Sequence, residues 1–254
     1  MVTDLYDRQT RIRNWSQDKL TNTRVSIIGA GALGTSAAVQ MTSMGFGKIS
    51  IFDFDVVENH NLNRQFLFFD SIGKHKSISL AAKLHFINEN IEVIPYTTKI
   101  DETTIGIVKD SDIIIDCLDN WPSRMLINRF CVENKIPFVH GGMNGFTGQV
   151  QAYLPNQTPC LACGAIPKDK KQSNVCDADP AIITTSFVIG GLMVQEAVKI
   201  ILFPDHVLQG MLIYNGLRNI MSVIKTKRKA ACKVCSEKKR RKFKPKKRKR
   251  GRKS

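Results

Sequence analysis

Apolar and polar positions alternate in blocks along the first part of the chain. An apolar run over 24–28 leads into a glycine-rich turn and a helix-forming segment over 35–44, and a second apolar run over 48–52 ends on Asp53. Short apolar runs bounded by turn residues predict buried strands, whereas the longer segment between them predicts a helix. These elements therefore predict a β-α-β unit with parallel strands.

The same alternation continues to residue 225. Helices are predicted over 73–88, 124–134 and 184–203, and strands over 91–96, 112–116, 137–140, 148–153, 207–215 and 218–225. This order predicts an α/β fold, a Rossmann-like doubly wound sheet that is mostly parallel and has mixed C-terminal strands. The polar stretch over 164–179 is rich in turn residues and is expected to form a mobile surface loop.

The glycine-rich turn carries the first functional signal. Gly29, Gly31 and Gly34 follow the first strand with G-x-G-x-x-G spacing, which lets the chain turn tightly and brings backbone N–H groups close to a phosphate. Asp53 lies 19 residues beyond Gly34, where a carboxylate binds ribose hydroxyls in such units. The pattern therefore predicts a nucleotide-binding site.

Polar residues further along the chain suit a polyphosphate better than a nicotinamide ring. Arg64 and Lys76 can neutralise phosphate charge. Asp119 follows the strand predicted over 112–116, at the edge where open α/β sheets bind ligands, and its carboxylate suits a Mg2+ ion that bridges phosphates. The expected ligands are thus ATP and magnesium, not NAD.

Four of the seven cysteines form two close pairs. Cys160 and Cys163, like Cys232 and Cys235, are separated by two residues. Together they offer the four thiolates that tetrahedral zinc prefers. Because 68 residues separate the pairs, the metal would staple the C-terminal end of the domain to its body. A closed four-thiolate site predicts structural rather than catalytic zinc.

The net charge of +16 is concentrated at the C-terminus. Residues 225–254 hold 18 of the 38 Lys and Arg residues and one acidic residue, Glu237, whereas residues 1–224 hold 20 basic and 21 acidic residues. We therefore expect a domain over 1–235 and a disordered basic tail over 236–254. The tail is interpreted as a tether to nucleic acid, a nuclear address, a docking site for an acidic partner or a solubilising segment.

We expect the chain to have no membrane-spanning segment and no export signal. It contains no run of about 18 apolar residues. Five charged residues occupy positions 1–13, where a signal peptide has an apolar core. The expected location is cytoplasmic, with the nucleus as the alternative for a eukaryotic protein because of the tail.

Together these motifs resemble the ThiF/MoeB/E1 superfamily, whose members adenylate the C-terminal glycine of ubiquitin-fold proteins. The resemblance covers most of residues 1–235. The matching residues are, in chain order, Arg8-Gln9, Gly29, Gly31, Gly34, Asp53, Asp55, Asn61, Arg64-Gln65, Lys76, Asp119-Asn120, Arg124 and the two cysteine pairs. The segment from Cys163 to Cys176 is too short for the catalytic-cysteine domain of ubiquitin E1 enzymes, so the resemblance implies a minimal homodimeric activator.

The resemblance implies a role for each matching residue. Asp53 would bind the ribose of ATP, and Asp119 would bind the magnesium ion. The residues implied to complete the nucleotide site, with Arg64 and Lys76 among the catalytic groups, are Asn61, Arg64, Gln65, Lys76 and Asn120. Arg8 would reach the ATP of the neighbouring subunit, where it would stabilise charge at the α-phosphate.

Two residues near these motifs are expected to be structural. Asp55 is expected to cap or orient the loop after it. His140 stands beside Gly141 and Gly142. It is expected to be a hydrogen-bonded structural histidine, with a place at the border of a channel for the substrate tail as the alternative.

The role of Cys176 determines which reaction follows adenylation. By resemblance, a thiol at this position takes the acyl group as a thioester, forms a sulfur link, or is dispensable as in MoeB-like proteins. A thiol attacks an acyl-adenylate well when it ionises, although Asp177 and Asp179 disfavour the thiolate. We expect transfer to Cys176 as a thioester, and then to an E2-like or sulfur-transfer partner.

The predicted function is ATP-dependent adenylation of a ubiquitin-like protein that ends in Gly-Gly. One alternative is activation of a sulfur carrier of the MoeB/ThiF type. Another is the tRNA-modifying dehydratase branch of the superfamily, which would explain a basic tail but generally lacks the zinc pairs. A non-catalytic nucleotide-binding scaffold is the alternative outside enzymes, and the presence of Arg64, Lys76 and Asp119 argues against it.

Overall fold

The computed structural model describes residues 5–164 and 180–236. Most of the predicted loop, including Cys176, and the tail from residue 237 lie outside the described residues. The strands are β1 Arg24–Ile28, β2 Lys48–Phe52, β3 Glu92–Tyr96, β4 Ile113–Asp116, β5 Phe138–Asn144, β6 Thr147–Tyr153, β7 Gly210–Asn215 and β8 Ile220–Lys225. The α-helices are α1 Asp7–Thr10, α2 Gln17–Thr21, α3 Ala32–Met44, α4 Lys76–Ile87, α5 Trp121–Asn134 and α6 Ile183–Leu202.

The eight strands form one sheet in the order β3-β2-β1-β4-β5-β6-β7-β8. The first five strands in this order are parallel, and β6, β7 and β8 continue the sheet in antiparallel fashion. All four residues of β4 are buried, as expected for a strand with both faces covered. The predicted Rossmann-like sheet with mixed C-terminal strands is confirmed.

The two faces of the sheet carry separate apolar cores. Successive side chains of a strand point to opposite faces. Ile27 belongs to the core that α3, α4 and α6 cover, whereas Ile28 belongs to the core that α5 covers. The four paired cysteines lie in the second core, so the cysteine cluster and α5 share one side of the molecule.

Several boundaries differ from the sequence-based prediction for local reasons. α5 begins at Trp121 because the side chain of Asn120 accepts the Ser123 N–H, a standard N-cap. α4 begins after Gly73, which has φ of +81° and is therefore not helical. The short helices α1 and α2 were not predicted, because segments of four and five residues show no helical periodicity.

Helix α6 is the one described helix that is long and apolar enough to cross a membrane by length and composition. More than half of its apolar window, 56%, is buried inside the fold. It packs against α3, β5 and β6. The packing of α6 is that of a core helix.

The carboxyl ends of β1 and β4 mark the point where the order of the sheet reverses. β1 pairs with β2 on one side and with β4 on the other, and Ile28 aligns with Asp116. The crossovers leave this point in opposite directions, so a crevice opens beyond the strand ends. The predicted glycine turn and Asp119 come directly after these two strands.

Candidate active site

The glycine turn packs against the segment that follows β4 and leaves space at the start of α3. Gly29 has φ of +98°, which glycine adopts without strain. A Cβ atom at Gly34 would overlap the carbonyl oxygen of Gly29, so only glycine allows this approach of helix and turn. A Cβ atom at Gly31 would meet no other described atom within 4 Å. The space before the N-terminus of α3 is thus open where a phosphate binds favourably.

Asp53 joins the end of β2 to the glycine turn. Its Oδ2 accepts the Ala30 N–H at 2.7 Å, and its Oδ1 accepts the Asp55 N–H at 2.8 Å. Burial raises the pKa of Asp53, and the two N–H groups and nearby Lys76 oppose that rise. The carboxylate is therefore held in one orientation, with lone pairs left to accept hydrogen bonds from ribose hydroxyls.

Lys76 is the first residue of α4, and its side chain is largely buried. Its Nζ donates to Asp55 Oδ2 at 3.1 Å, and its backbone N–H donates to the Asp55 carbonyl at 3.0 Å. Asp55 thus positions Lys76 through both its main chain and its side chain. The expectation that Asp55 orients the loop after it agrees with this arrangement, but the sequence did not link it to Lys76.

Three predicted residues lie on the loop between β2 and α4. Asn61 is buried, and its Oδ1 accepts the Glu58 N–H at 3.0 Å. Gln65 is also buried, and its Oε1 has no hydrogen-bond partner among the described residues. Arg64 is partly exposed and donates Nη1 to the His60 carbonyl at 2.6 Å. Asn61 therefore shapes the loop, whereas the side-chain oxygen of Gln65 is left without a partner among the described residues.

Asp119 and Asn120 connect β4 to α5. The Asp119 side chain is exposed, and Asn120 Nδ2 donates to its Oδ1 at 3.3 Å. Asn120 Oδ1 accepts the Ser123 N–H at 3.0 Å. Asp119 therefore presents an accessible carboxylate to a cation, whereas the amide oxygen of Asn120 already caps α5.

Arg8 lies away from the residues at this edge of the sheet. α1 is held at the C-terminal end of α3, where Gln9 Nε2 donates to the Met44 carbonyl at 2.9 Å. The Arg8 side chain is 90% exposed. Because α3 has 13 residues and is about 20 Å long, Arg8 is far from the glycine turn of its own chain. Its role in a neighbouring subunit stays a prediction.

The residues of the crevice fit ATP and Mg2+. The open N-terminus of α3 suits a phosphate, and Lys76, held by Asp55, supplies positive charge close to Asp53. Arg64 offers a second positive charge on the loop between β2 and α4. Asp119 could hold the cation, since Mg2+ is usually bound through one or two carboxylates and substrate phosphates.

The two cysteine pairs form a separate cluster on the α5 side of the sheet. The four Sγ atoms lie within 4.8 Å of one another, and three of the separations are 3.9, 3.8 and 3.4 Å. Thiolates bound to one tetrahedral zinc ion at 2.3 Å lie about 3.8 Å apart. The sulfurs of Cys160, Cys163, Cys232 and Cys235 are therefore already arranged for one ion.

The acidities of these thiols show why the cluster suits a cation. Burial raises the pKa of Cys160, and it raises that of Cys163 to about 11. Burial acts in the same direction on Cys232, but the N–H groups of Cys235 and Val234 outweigh it and lower the pKa. Buried thiols resist ionising together, so a metal ion is what would hold four thiolates here. The cluster fits structural zinc and leaves no ligand position for a substrate.

Comparison with known proteins assigns this arrangement to a family. The model of the ThiF family matches residues 6–234, which include the glycine turn, the crevice residues and all but the last of the paired cysteines. The chain belongs to the ThiF family. Its predicted membership of the ThiF/MoeB/E1 superfamily is confirmed.

Named relatives of this ThiF-family chain are activating enzymes and adenylyltransferases. SAMP-activating enzyme E1 of Haloferax volcanii is 31% identical over 226 residues, which cover 87% of this chain and 83% of the relative. Adenylyltransferase and sulfurtransferase MOCS3 of Dictyostelium discoideum is 35% identical over 228 residues, covering 87% and 54%. Ubiquitin-like modifier-activating enzyme 5 of Oryza sativa is 29% identical, covering 90% and 57%.

The chain thus spans most of the Haloferax relative and little more than half of the other two. A solved structure of E. coli MccB with MccA-N7isoASN has a TM-score of 0.80 and 26% identity, covering 87% of this chain and 69% of MccB. The family match and the similarity to these relatives identify the chain as an E1-like adenylyltransferase.

Sequence reasoning missed a second polar pair beside the crevice. Asp116, the last residue of β4, was given no role of its own, yet it contacts His140 in the interior. His140 is fully buried, so it does not border a channel directly. An acidic residue that ends the Ile-Ile-Ile run of β4 was the available signal.

Proposed function

We propose that this ThiF-family chain uses ATP and Mg2+ to adenylate the C-terminal glycine of a ubiquitin-like, β-grasp protein that ends in Gly-Gly. One observation carries the proposal: the glycine turn, Asp53 and Lys76 are tied together by hydrogen bonds at the sheet edge that also presents the Asp119 carboxylate. The relatives named as activating enzymes for SAMP and for ubiquitin-like modifiers support the substrate class.

The reaction forms a bond between a carboxylate oxygen of the substrate and the α-phosphorus of ATP, and it releases pyrophosphate. Negative charge shifts among phosphate oxygens as the bond forms, and a cation that is already in position stabilises it without reorganisation. Asp55 holds Lys76 in this way, and Arg64 adds a second positive charge. A Mg2+ ion held by Asp119 would neutralise the leaving pyrophosphate.

We further propose that the active form is a homodimer in which Arg8 assists the partner's site. Arg8 is exposed and lies about the length of α3 away from its own glycine turn. Exposed apolar side chains support a protein interface near the crevice loop. Phe66 of that loop and Phe187 of α6 are in ring contact at 5.7 Å, and each is about two-fifths exposed.

Cys176 is the proposed acceptor of the acyl group after adenylation. The chain returns to the described structure at Pro180, whose carbonyl accepts the Gly145 N–H at the turn between β5 and β6. β5 runs parallel to β4, so this turn lies at the same sheet edge as the crevice. Cys176 precedes Pro180 by four residues in the sequence, and this short separation supports the proposal that its thiol acts at that edge.

In the thioester step, the Cys176 sulfur attacks the carbonyl carbon of the acyl-adenylate, AMP leaves and the thiol proton passes to a base or solvent. An E2-like protein would then accept the acyl group. The similarity to MOCS3, named a sulfurtransferase as well as an adenylyltransferase, favours sulfur-carrier activation as the second candidate. In that case Cys176 would form a sulfur link or be dispensable.

ATP–pyrophosphate exchange tests the proposed reaction directly. The purified chain is assayed separately with ubiquitin-fold proteins ending in Gly-Gly, with the same proteins lacking that dipeptide, and with tRNA. We expect exchange only with the intact ubiquitin-fold proteins. Exchange with tRNA alone would indicate the dehydratase branch, and no exchange with any substrate would support a non-catalytic scaffold.

Two substitutions at opposite ends of β4 test the site. Asp119→Ala should abolish exchange in a folded protein, because it removes the proposed magnesium ligand and no core side chain. Asp110→Ala is the matched control, since Asp110 is exposed and precedes β4, far from the crevice. Near-normal exchange by Asp119→Ala would remove Asp119 from the proposed mechanism.

A further inference from the structure

A fully buried polar pair lies directly beneath the crevice. The Nδ1 atom of His140 on β5 is 2.9 Å from Oδ2 of Asp116 on β4, and both side chains are 0% exposed. The two residues face each other in the sheet register. The preceding pairs along these strands, Ile114 with Phe138 and Ile115 with Val139, are apolar. The final pair of β4 and β5 is therefore a polar exception in a packed core.

The surroundings of His140 assign its protons. The Asp116 carboxylate can only accept a hydrogen bond, so Nδ1 of His140 carries a proton and donates. The other ring nitrogen, Nε2, lies 3.2 Å from the amide nitrogen of Gln149 on β6, which is a donor. Nε2 therefore accepts, and the neutral Nδ1–H tautomer satisfies both contacts. The result is a relay of hydrogen bonds from Gln149 through His140 to Asp116.

Asp116 also contacts the segment that carries Asp119, so the fixed orientation of the Asp116 carboxylate restricts the backbone of that segment. Its second oxygen, Oδ1, accepts the Leu118 N–H at 3.2 Å. On the other side of the same residue, Arg124 donates Nε and Nη2 to the Leu118 carbonyl at 2.9 and 2.7 Å. Leu118 is thus fixed through both of its peptide groups. Asp119 is the next residue, and its orientation depends on these contacts.

Stability alone is a poor explanation for this pair. A buried polar pair contributes little over apolar side chains of similar volume, whereas leaving one partner without the other is strongly unfavourable. What the pair does provide is one arrangement of the β4–α5 connection. Supporting residues of this kind orient metal ligands that they do not join.

We propose that Asp116 and His140 are positioning residues that fix the Leu118 peptide and thereby aim the Asp119 carboxylate at the cation. The inference rests on the proposed function, because Asp119 is the proposed magnesium ligand. Gln149 holds the outer nitrogen of His140, and Arg124 holds Leu118 from the side of α5. The orientation of the Asp119 side chain is therefore set by β5 and β6 as well as by β4, the strand that precedes it.

Two substitutions of His140 separate positioning from packing. His140→Leu fills a similar volume but removes the donor to Asp116. His140→Asn retains an amide N–H near the position of Nδ1 and should rescue the interaction. Ser26→Ala is the control, because it removes a partly buried hydrogen bond from β1 to Ser111, which precedes β4. Thermal unfolding of all variants reports their stability.

The first measurement is amide hydrogen exchange across residues 117–120 in the full chain. His140→Leu should exchange about tenfold faster than the wild type in this segment, whereas His140→Asn and Ser26→Ala should not. The second measurement is Mn2+ binding by electron paramagnetic resonance with the α,β-methylene analogue of ATP. His140→Leu should weaken Mn2+ binding about tenfold, and His140→Asn should restore it.

Neither measurement needs the ubiquitin-like substrate or turnover, so the outcomes separate the two proposals. If the folded His140→Leu variant shows unchanged amide hydrogen exchange and unchanged Mn2+ binding, the positioning role is overturned, while the proposed adenylation is unaffected. Absence of adenylation by the wild type would count against the proposed function alone. Should His140→Leu fail to fold, Gln149→Leu removes only the outer contact. A smaller shift in both measurements is then expected, and no shift would overturn the inference.

Discussion

Lys76 Nζ lies 3.1 Å from Asp55 Oδ2, and the two side chains differ sharply in exposure, at 10% for Lys76 and 49% for Asp55. The buried member is the cation, and the carboxylate that reaches it from the surface compensates its charge. Asp55 also accepts the backbone N–H of Lys76 and donates its own N–H to Asp53. One exposed residue therefore links the proposed ribose ligand to the proposed phosphate ligand.

A double-mutant cycle should show this dependence in ATP binding. Asp55→Asn should weaken ATP binding in the wild-type background and have little effect in the Lys76→Met background, with a coupling energy of about 1 kcal/mol. Calorimetric titration with ATP measures the four dissociation constants. The exposed pair Lys48 and Glu92, 3.0 Å apart and remote from the crevice, is the control and should show no effect on ATP. Additive effects of Asp55→Asn and Lys76→Met would show that the residues act independently.

The sequence was sufficient for features that depend on neighbours along the chain. The strands before Gly29 and Asp53, the glycine spacing and the cysteine pairs all rest on local pattern, and the structure has them where the pattern predicts. Lys76 with Asp55, and His140 with Asp116, are separated by 21 and 24 residues. Their contacts arise from strand order and register, which local periodicity does not contain. Arg8 contacts no described crevice residue of its own chain, so neither the sequence nor the fold of one chain tests its predicted role in a neighbouring subunit.

Replacing a zinc ligand should destabilise the α5 side of the molecule, which should then unfold at a lower temperature than the part that forms the crevice. Cys232→Ser should lose zinc and lower the unfolding temperature, because closed thiolate sites contribute folding energy. Metal analysis should find about one zinc per wild-type chain. Cys131→Ala is the control, since Cys131 lies buried in the same core but outside the cluster, and it should keep the metal. A folded wild type with far less than one zinc per chain would contradict the four-cysteine site.

Zinc binding at this cluster should weaken as the pH falls. Burial raises the pKa of Cys160 and of Cys163, so without metal these thiols keep their protons at neutral pH. Binding must then release protons, and a lower pH favours the metal-free form. Competition with a chelator of known affinity at several pH values measures this. An affinity that is independent of pH would show that the thiols are already ionised.

Complementation between inactive subunits should test whether Arg8 acts across a dimer. Arg8→Ala and Asp119→Ala should each lose activity, whereas a heterodimer of the two holds one site with both residues intact. Pyrophosphate exchange should therefore recover in part after the variants are mixed and subunit exchange is verified. Arg11→Ala is the control, since Arg11 is also exposed on this segment and pairs with Asp7. It should retain activity on its own. No recovery in verified heterodimers would argue against action in trans.

Deleting residues 238–254 should leave adenylation unchanged, since every proposed ATP and zinc residue precedes them. The deletion should weaken binding to RNA, DNA or an acidic partner. Contacts between many Lys or Arg side chains and phosphates release counterions, so the binding of the full chain should fall steeply with salt. Fluorescence anisotropy with labelled RNA and DNA at several salt concentrations makes the comparison. Equal binding by the full and shortened chains at low salt would show that the tail is not a nucleic-acid tether.

Cys176→Ala should separate the two steps of the proposed reaction. The variant should keep ATP–pyrophosphate exchange, which needs the substrate carboxylate, ATP and Asp119, but should lose the thiol-sensitive adduct with the ubiquitin-like protein. Non-reducing electrophoresis detects the adduct, and Cys131→Ala is the control that should still form it. An adduct that survives Cys176→Ala would assign the thiol chemistry to another cysteine. An active wild type that forms no adduct would favour release of the adenylate, because the first step would then run without any covalent acceptor.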